Sequence, residues 1–224
     1  MRNYLGVRKS KVLMQYGIHC RAEALIRHFA QLDCSVSHTI LDIGTADGLV
    51  FCKLAKHYGF RLCIGIDIRL DYLRAACANV PYVVQADGKR LPFPDRSIDA
   101  IICTAVFKHI RGLERLLEEC GRVLNQEGKL VAMDPTPLGI RLGLLLRHFS
   151  QRTIVQILSL RDTEQLLEQY GFTTISKERF MLTPVPFIGC EVLERVLKKL
   201  NFEFLFLNQV VCVGRGLDAL PRTK

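Results

Sequence analysis

The run Ile40-Leu41-Asp42-Ile43-Gly44-Thr45-Ala46-Asp47-Gly48 constrains this chain more than any other feature, because Asp67 and Asp87 each follow another short apolar run further on. A strand ending at Ile43 and a helix beginning near Leu49 leave Gly44 to Gly48 as their connection. Glycine there lets the backbone turn tightly and approach a ligand closely. Acids placed just past successive apolar runs then fit a nucleotide-type cofactor laid across the carboxyl ends of parallel strands.

The rest of the chain alternates in the same way. β-like runs occupy Thr39 to Ile43, Leu62 to Ile68, Tyr82 to Gln85, Ile98 to Val106, Lys129 to Met133, Thr173 to Phe180 and Leu205 to Val213. Between them, helical apolar spacing predicts helices over Leu49 to Tyr58, Leu70 to Ala78, Leu113 to Leu124 and Thr163 to Tyr170, two of them closed by Gly59 and Gly171. Leu91-Pro92-Phe93-Pro94-Asp95 reads as a turn, since neither proline can donate to a ladder. Such alternation argues for a parallel sheet covered on both faces. Cys20 to Leu32 is expected to add an amphipathic helix, and residues 139 to 160 one or two more.

The loop chemistry narrows the cofactor. A dinucleotide fingerprint needs glycine where Ala46 and Leu49 stand, and no Gly-Lys-Ser/Thr follows to make a P-loop. The cofactor is therefore not expected to be anchored through phosphates, and a nicotinamide-dependent reductase is disfavoured.

At this point the resemblance is plain. Leu41 to Gly48, Gly65-Ile66-Asp67, Gln85-Ala86-Asp87 and Leu91 to Ile110 resemble the class I S-adenosylmethionine (SAM) dependent methyltransferases, most nearly their small-molecule, type 11 branch. Arg122-Val123-Leu124 with Glu127 to Val131 resembles that family's turn into strand five. The resemblance implies a doubly wound, Rossmann-like, mostly parallel α/β sheet of seven strands with helices on both faces and an antiparallel last strand. It also implies one methyltransferase domain over residues 1–224. In that division 1–35 form a helical extension, 39–134 the SAM-binding core, 135–161 a helical acceptor-side insertion, and 162–224 complete the sheet.

The family further implies roles for single residues. Asp42, Gly44, Thr45 and Gly48 would line the methionine end of SAM, Asp67 would accept from both ribose hydroxyls, and Asp87, with Gly88 beside it, would take the adenine amine. Ile68 would pack on the adenine face, and the backbone at Cys103 and Thr104 would border the methionine moiety. For each acid the structural alternative is a helix cap or turn residue. Two departures stand out: Ala46 replaces the family's middle glycine, and Lys108 precedes His109 where an acid is frequent. The implied mechanism is in-line displacement of the methyl group by proximity, without metal. No catalytic residue is assigned. His109 is the best-placed candidate base, against the alternative that it packs or caps a helix.

Charge and cysteines bear on partners and setting. The net charge of +9 is concentrated outside the core: residues 42–135 hold 13 Lys/Arg against 12 Asp/Glu, while residues 136–161 hold four against none. Leu138 to Leu160 mixes leucines with Arg141, Arg147 and Arg152, which suits a greasy acceptor pocket rimmed by cations or peripheral contact with an anionic membrane. A small-molecule or lipid-linked acceptor is expected. Asp134-Pro135-Thr136-Pro137 follows the fifth strand rather than the fourth and lacks the terminal aromatic of base N-methyltransferases, and the chain has no Trp for stacking on bases. Nucleic acid is thus an unlikely partner, with an RNA-directed methyltransferase or a non-catalytic SAM-binding regulator as the alternatives. Nine scattered cysteines without a Cys-x-x-Cys pair predict reduced thiols, no metal site and a cytoplasmic protein; no apolar segment suggests a signal peptide or a membrane span.

Overall fold

Thr39-Ile40-Leu41-Asp42-Ile43 is buried along its whole length, as a central strand covered on both faces must be. The computed structural model describes residues 12–146, 153–183 and 187–216, apart from 33, 35 and 188. Its strands are β1 (Thr39–Ile43), β2 (Leu62–Asp67), β3 (Tyr82–Gln85), β4 (Ile98–Thr104), β5 (Leu124–Pro135), β6 (Phe172–Phe180) and β7 (Asn208–Arg215). They form one sheet in the order β3-β2-β1-β4-β5-β7-β6. The first five are parallel, and β7 runs antiparallel between β5 and β6. The order reverses between β1 and β4, so the crevice for a ligand opens at the carboxyl ends of those two strands.

Among the described residues seven α-helices accompany the sheet: α1 (Val12–Phe29), α2 (Leu49–Tyr58), α3 (Leu70–Ala76), α4 (Leu113–Val123), α5 (Pro137–Leu145), α6 (Leu160–Gln169) and α7 (Cys190–Lys199). Alternate strand residues feed opposite cores. Ile40, Ile102 and Val131 pack with Leu25 and Phe29 of α1 and Leu54 of α2, whereas Leu41, Ile101 and Leu130 pack with Leu116 and Leu117 of α4 and Leu167 of α6. Each fully buried Leu or Phe of this kind contributes about 1.5–3 kcal/mol. Arg122 fixes the Leu91–Asp95 turn by donating to Leu91 O at 2.9 Å, Phe93 O at 2.9 Å and Asp95 Oδ1 at 2.7 Å, while Glu119 accepts from Leu91 N–H at 2.7 Å. No helix among the described residues is long and apolar enough to cross a membrane, and none of the nine cysteines forms a disulfide.

Several boundaries differ from the sequence reading. β4 stops at Thr104 because Ala105 takes a left-handed φ of 61°. β5 begins at Leu124, pairing with Ile98 across an irregularity, rather than at Lys129. The helix expected over Cys20 to Leu32 runs instead from Val12 to Phe29. Of the helical segment expected over 139–160, α5 is helical, capped by Thr136 Oγ1 accepting from Gly139 N–H; residues 154–159 carry no helix, and 147–152 lie outside the described residues. The last strand starts at Asn208, after a single 3-10 turn at Glu203–Leu205. α7 adds a helix to those expected above, and its Val192, Leu193, Val196 and Leu197 recur at helical spacing.

Glu178 of β6 ties α1 and α7 to the sheet edge. It accepts from His28 Nε2 at 3.1 Å and from Arg27 Nη2 at 3.2 Å, and pairs with Lys198. Burial alone would raise its pKa, but the His28 hydrogen bond and the Lys198 and Arg27 cations outweigh burial and bring it down to about 2. A depressed carboxyl pKa contributes stability that is complete above the ordinary glutamate value of 4.5 and is lost as pH falls towards 2. Acid unfolding followed by circular dichroism should therefore lose stability across that window, and Glu178→Gln should flatten the profile there. An unchanged profile in the variant would show that the cluster contributes nothing.

Candidate cofactor and acceptor site

Gly44 leaves β1 at φ +72°, and a Cβ there would meet Val106 Cγ2 at 2.6 Å. Gly44 and Thr45 both donate their N–H to Ile66 O, at 2.8 and 2.9 Å, which folds the loop back over β2. Gly48 closes it at φ +69° as the N-cap of α2, where a Cβ would meet Val80 Cγ2 at 2.5 Å. Ala46 between them is also left-handed, at φ 52°, a conformation costing an alanine about 1–2 kcal/mol. Its N–H is held by Asp67 Oδ2 at 3.1 Å. The departure at Ala46 is thus accommodated by an anchor from the neighbouring strand.

Asp67 ends β2 and is buried. Oδ1 accepts from Arg69 N–H at 2.9 Å, so each oxygen takes one amide and keeps lone pairs for further donors. Burial pushes its carboxyl up, against the opposing pull of the two amides. Ile68 follows immediately and is 63% exposed, an apolar surface at the mouth of the crevice. Asp42 is buried in β1, opposite Gly65 and Ile102. Gly65 leaves room for Thr45, since a Cβ would lie 2.9 Å from Thr45 Oγ1. The buried hydroxyls of Thr45 and Thr104 have no hydrogen-bond partner among the described residues.

Asp87 lies one strand further along, where Ala86 N–H donates to Asp67 O at 3.2 Å. Its Oδ1 accepts from Lys89 N–H at 2.9 Å, and Lys89 Nζ stands 3.9 Å from Oδ2. Gly88 lets this segment press on the core: a Cβ would meet Leu116 Cδ1 at 2.8 Å and Ile43 Cγ2 at 3.0 Å. Cys103 turns its thiol into the core against Cys120, and its backbone is paired between Ile43 and Ala132. One residue escaped the sequence reading. Asp47 is fully buried and accepts from Leu49 N–H at 3.3 Å in the first turn of α2; an acid directly before a helix-opening glycine was the available signal.

Beyond the end of β4, Lys108 is no surface cation. It is buried, donating to Ala105 O at 2.6 Å and to Asp134 Oδ1 at 3.3 Å, while Asp134 Oδ2 accepts from Phe107 N–H at 3.1 Å. Residues 153–159 cross this edge as a strap. Val155 N–H donates to Lys108 O at 2.8 Å, Gln156 Nε2 to Phe107 O at 2.9 Å, and Gln209 Nε2 to Leu158 O at 2.8 Å. His109 joins the strap through Nδ1, 2.5 Å from Thr153 O. A carbonyl only accepts, so Nδ1 carries the proton and Nε2 keeps its lone pair. Partial burial and the Lys108 ammonium lower the pKa of this imidazole.

A doubly wound sheet of this order, with a left-handed glycine loop over β1 and acids at the ends of the next two strands, is the Rossmann-like fold of SAM-dependent methyltransferases. It superposes on a SAM-dependent methyltransferase from Archaeoglobus fulgidus with a TM-score of 0.65 at 20% identity, over 87% of this chain and 92% of that one. Residues 41–132 match a family model described as a methyltransferase domain. An uncharacterized methyltransferase, YcgJ, from Bacillus subtilis is 29% identical over 110 residues, 46% of this chain and 42% of that protein. A demethylmenaquinone methyltransferase from Thermotoga maritima is 32% identical over 100 residues, 44% of each. The chain thus spans less than half the length of these two relatives.

Proposed function

We propose that this chain transfers the methyl group of SAM to a small acceptor with an apolar body, of the demethylated quinol kind. The observation that carries the reading is the Asp67 carboxylate, buried at the end of β2 while it holds the strained loop of β1 and retains acceptor capacity toward the crevice. In this reading Asp67 binds the ribose diol and Ile68 covers the adenine. Asp87, with Gly88, receives the adenine amine. The backbone of Gly44, Thr45, Gly48 and Cys103, together with Asp42, surrounds the methionine end. The residues present fit such a guest, since the Thr45 and Thr104 hydroxyls lack partners of their own.

SAM, when bound, supplies a methyl group already activated by its sulfonium. The chain's own contribution is alignment and exclusion of water, which the strap and α5 provide over the ends of β4 and β5. His109 presents a neutral Nε2 able to take the proton of an acceptor hydroxyl. The acceptor class rests on the similarity to demethylmenaquinone methyltransferases and on the exposed leucines of α5.

Methyl-labelled SAM incubated with the protein and a demethylated naphthoquinol should place label in the organic extract and release S-adenosylhomocysteine. Binding of SAM without product from any phenolic or quinol acceptor would favour the regulatory alternative. A folded protein that fails to bind SAM at all would sink the reading.

A further inference from the structure

α7 is amphipathic the wrong way round for a helix packed on a sheet. Its inward side carries Cys190, Glu194 and Lys198: Glu194 Oε1 accepts from Leu182 N–H at 2.8 Å, and Lys198 pairs with Glu178. Its apolar stripe of Val192, Leu193, Val196 and Leu200 faces solvent, continued by Phe202 and Phe204, whose rings lie 5.8 Å apart. Val192, Leu200 and Phe204 are each more than half exposed, at 56%, 59% and 59%. A soluble helix ordinarily hides such a stripe, and a contiguous apolar face of this kind marks an interaction surface.

The topology puts this face at the cofactor end of the molecule. α7 is inserted between the end of β6 and the start of β7, and Phe180 and Pro135 both pair with Asn208 there. α5 leaves the same edge, its Gly139 pressed against the backbone of Leu207, and exposes Leu138 and Leu145. α1 begins beside α7, with Tyr16 Oη 3.8 Å from Cys190 Sγ.

Charge identifies the occupant. Arg195 and Lys199 are exposed on α7 against one exposed acid, Glu191, and Arg141 is exposed on α5. A second copy of the chain would bring these like charges together, whereas an anionic surface neutralises them. Apolar insertion combined with a basic surround is the pairing that holds a protein on an anionic bilayer.

We propose that the outward face of α7 and the Leu200–Phe204 segment dock this chain on an anionic lipid bilayer, with the crevice turned toward the membrane. This goes beyond methyl transfer and is tested separately from it. Wild-type protein should co-sediment with phosphatidylcholine vesicles containing phosphatidylglycerol, less so at high salt, and much less with phosphatidylcholine alone. The double variant Val196→Asp with Leu200→Asp, both exposed, should keep the circular dichroism spectrum and any SAM affinity of the wild type while binding vesicles roughly tenfold more weakly or worse.

Wild-type protein that ignores the anionic vesicles, or a double variant that binds them equally well, overturns the proposal. So does a lipid-free dimer, seen by sedimentation velocity, that the double variant dissolves, because the face would then be covered by a second copy. Failure of SAM binding with vesicle binding intact would remove only the methyl-transfer reading.

Discussion

Asp67→Ala is expected to lower affinity for SAM by about 100-fold or more, close to 2.7 kcal/mol, when the folded protein is titrated calorimetrically. The size follows from what one carboxylate does twice over. It would lose charge-assisted hydrogen bonds to a ribose diol, and it would release the Ala46 amide that it now holds at 3.1 Å, letting the left-handed loop relax out of register with the crevice. Asp67→Asn keeps the size and an acceptor oxygen but loses the charge, and should fall between the two. Asp87→Ala serves as a comparison, because Asp87 is partly exposed and its local partner is a turn amide. It should weaken SAM binding with little loss of melting temperature. Unaltered SAM affinity in Asp67→Ala would remove the cofactor assignment for the whole carboxyl edge.

Lys108→Met should destabilise the protein by about 3–5 kcal/mol, the usual result of stripping one partner from a buried ion pair. For a chain of this size that corresponds to a melting temperature lower by roughly 10 °C. The lost groups are the ammonium bonds to Ala105 O and Asp134 Oδ1, and the carboxylate of Asp134 is left with the Phe107 amide. Lys108→Met combined with Asp134→Leu should recover part of the loss, since an apolar pair carries no desolvated charge. If the single variant melts within a degree or two of the wild type, the ion pair is not a structural element of this edge of the sheet.

The parts of this site that the sequence revealed are those encoded locally. The Gly44–Gly48 loop, Asp67 and Asp87 each sit where a strand meets a turn, and a short apolar run followed by a glycine or an acid marks such junctions without knowledge of neighbours. Arg122 shows the intermediate case: its motif is visible in the sequence, but its three partners in the Leu91–Asp95 turn come to it only through the packing of α4.

Lys108 was illegible for the opposite reason. Nothing near it in sequence foretells that Asp134, from the next strand, supplies its counter-charge. The strap over 153–159 was read as helix from its apolar content, yet its backbone donor at Val155 and acceptor at Leu158 are taken by Lys108 and Gln209. α7 had a readable helical period, but its outward-facing stripe inverts the rule by which such a period is turned into a position in the fold.

The placement of α5 and α7 has a consequence for how such a chain diversifies. Neither helix interrupts a strand: α5 follows the end of β5, and α7 occupies the connection between β6 and β7. Lengthening, shortening or replacing either segment therefore leaves every ladder of the sheet, and the loop above β1, as they are. A cap of another length or composition could therefore sit over the same edge without moving the Gly44–Gly48 loop or Asp67, so that in the proposed reading the acceptor side is free to vary independently of the donor side.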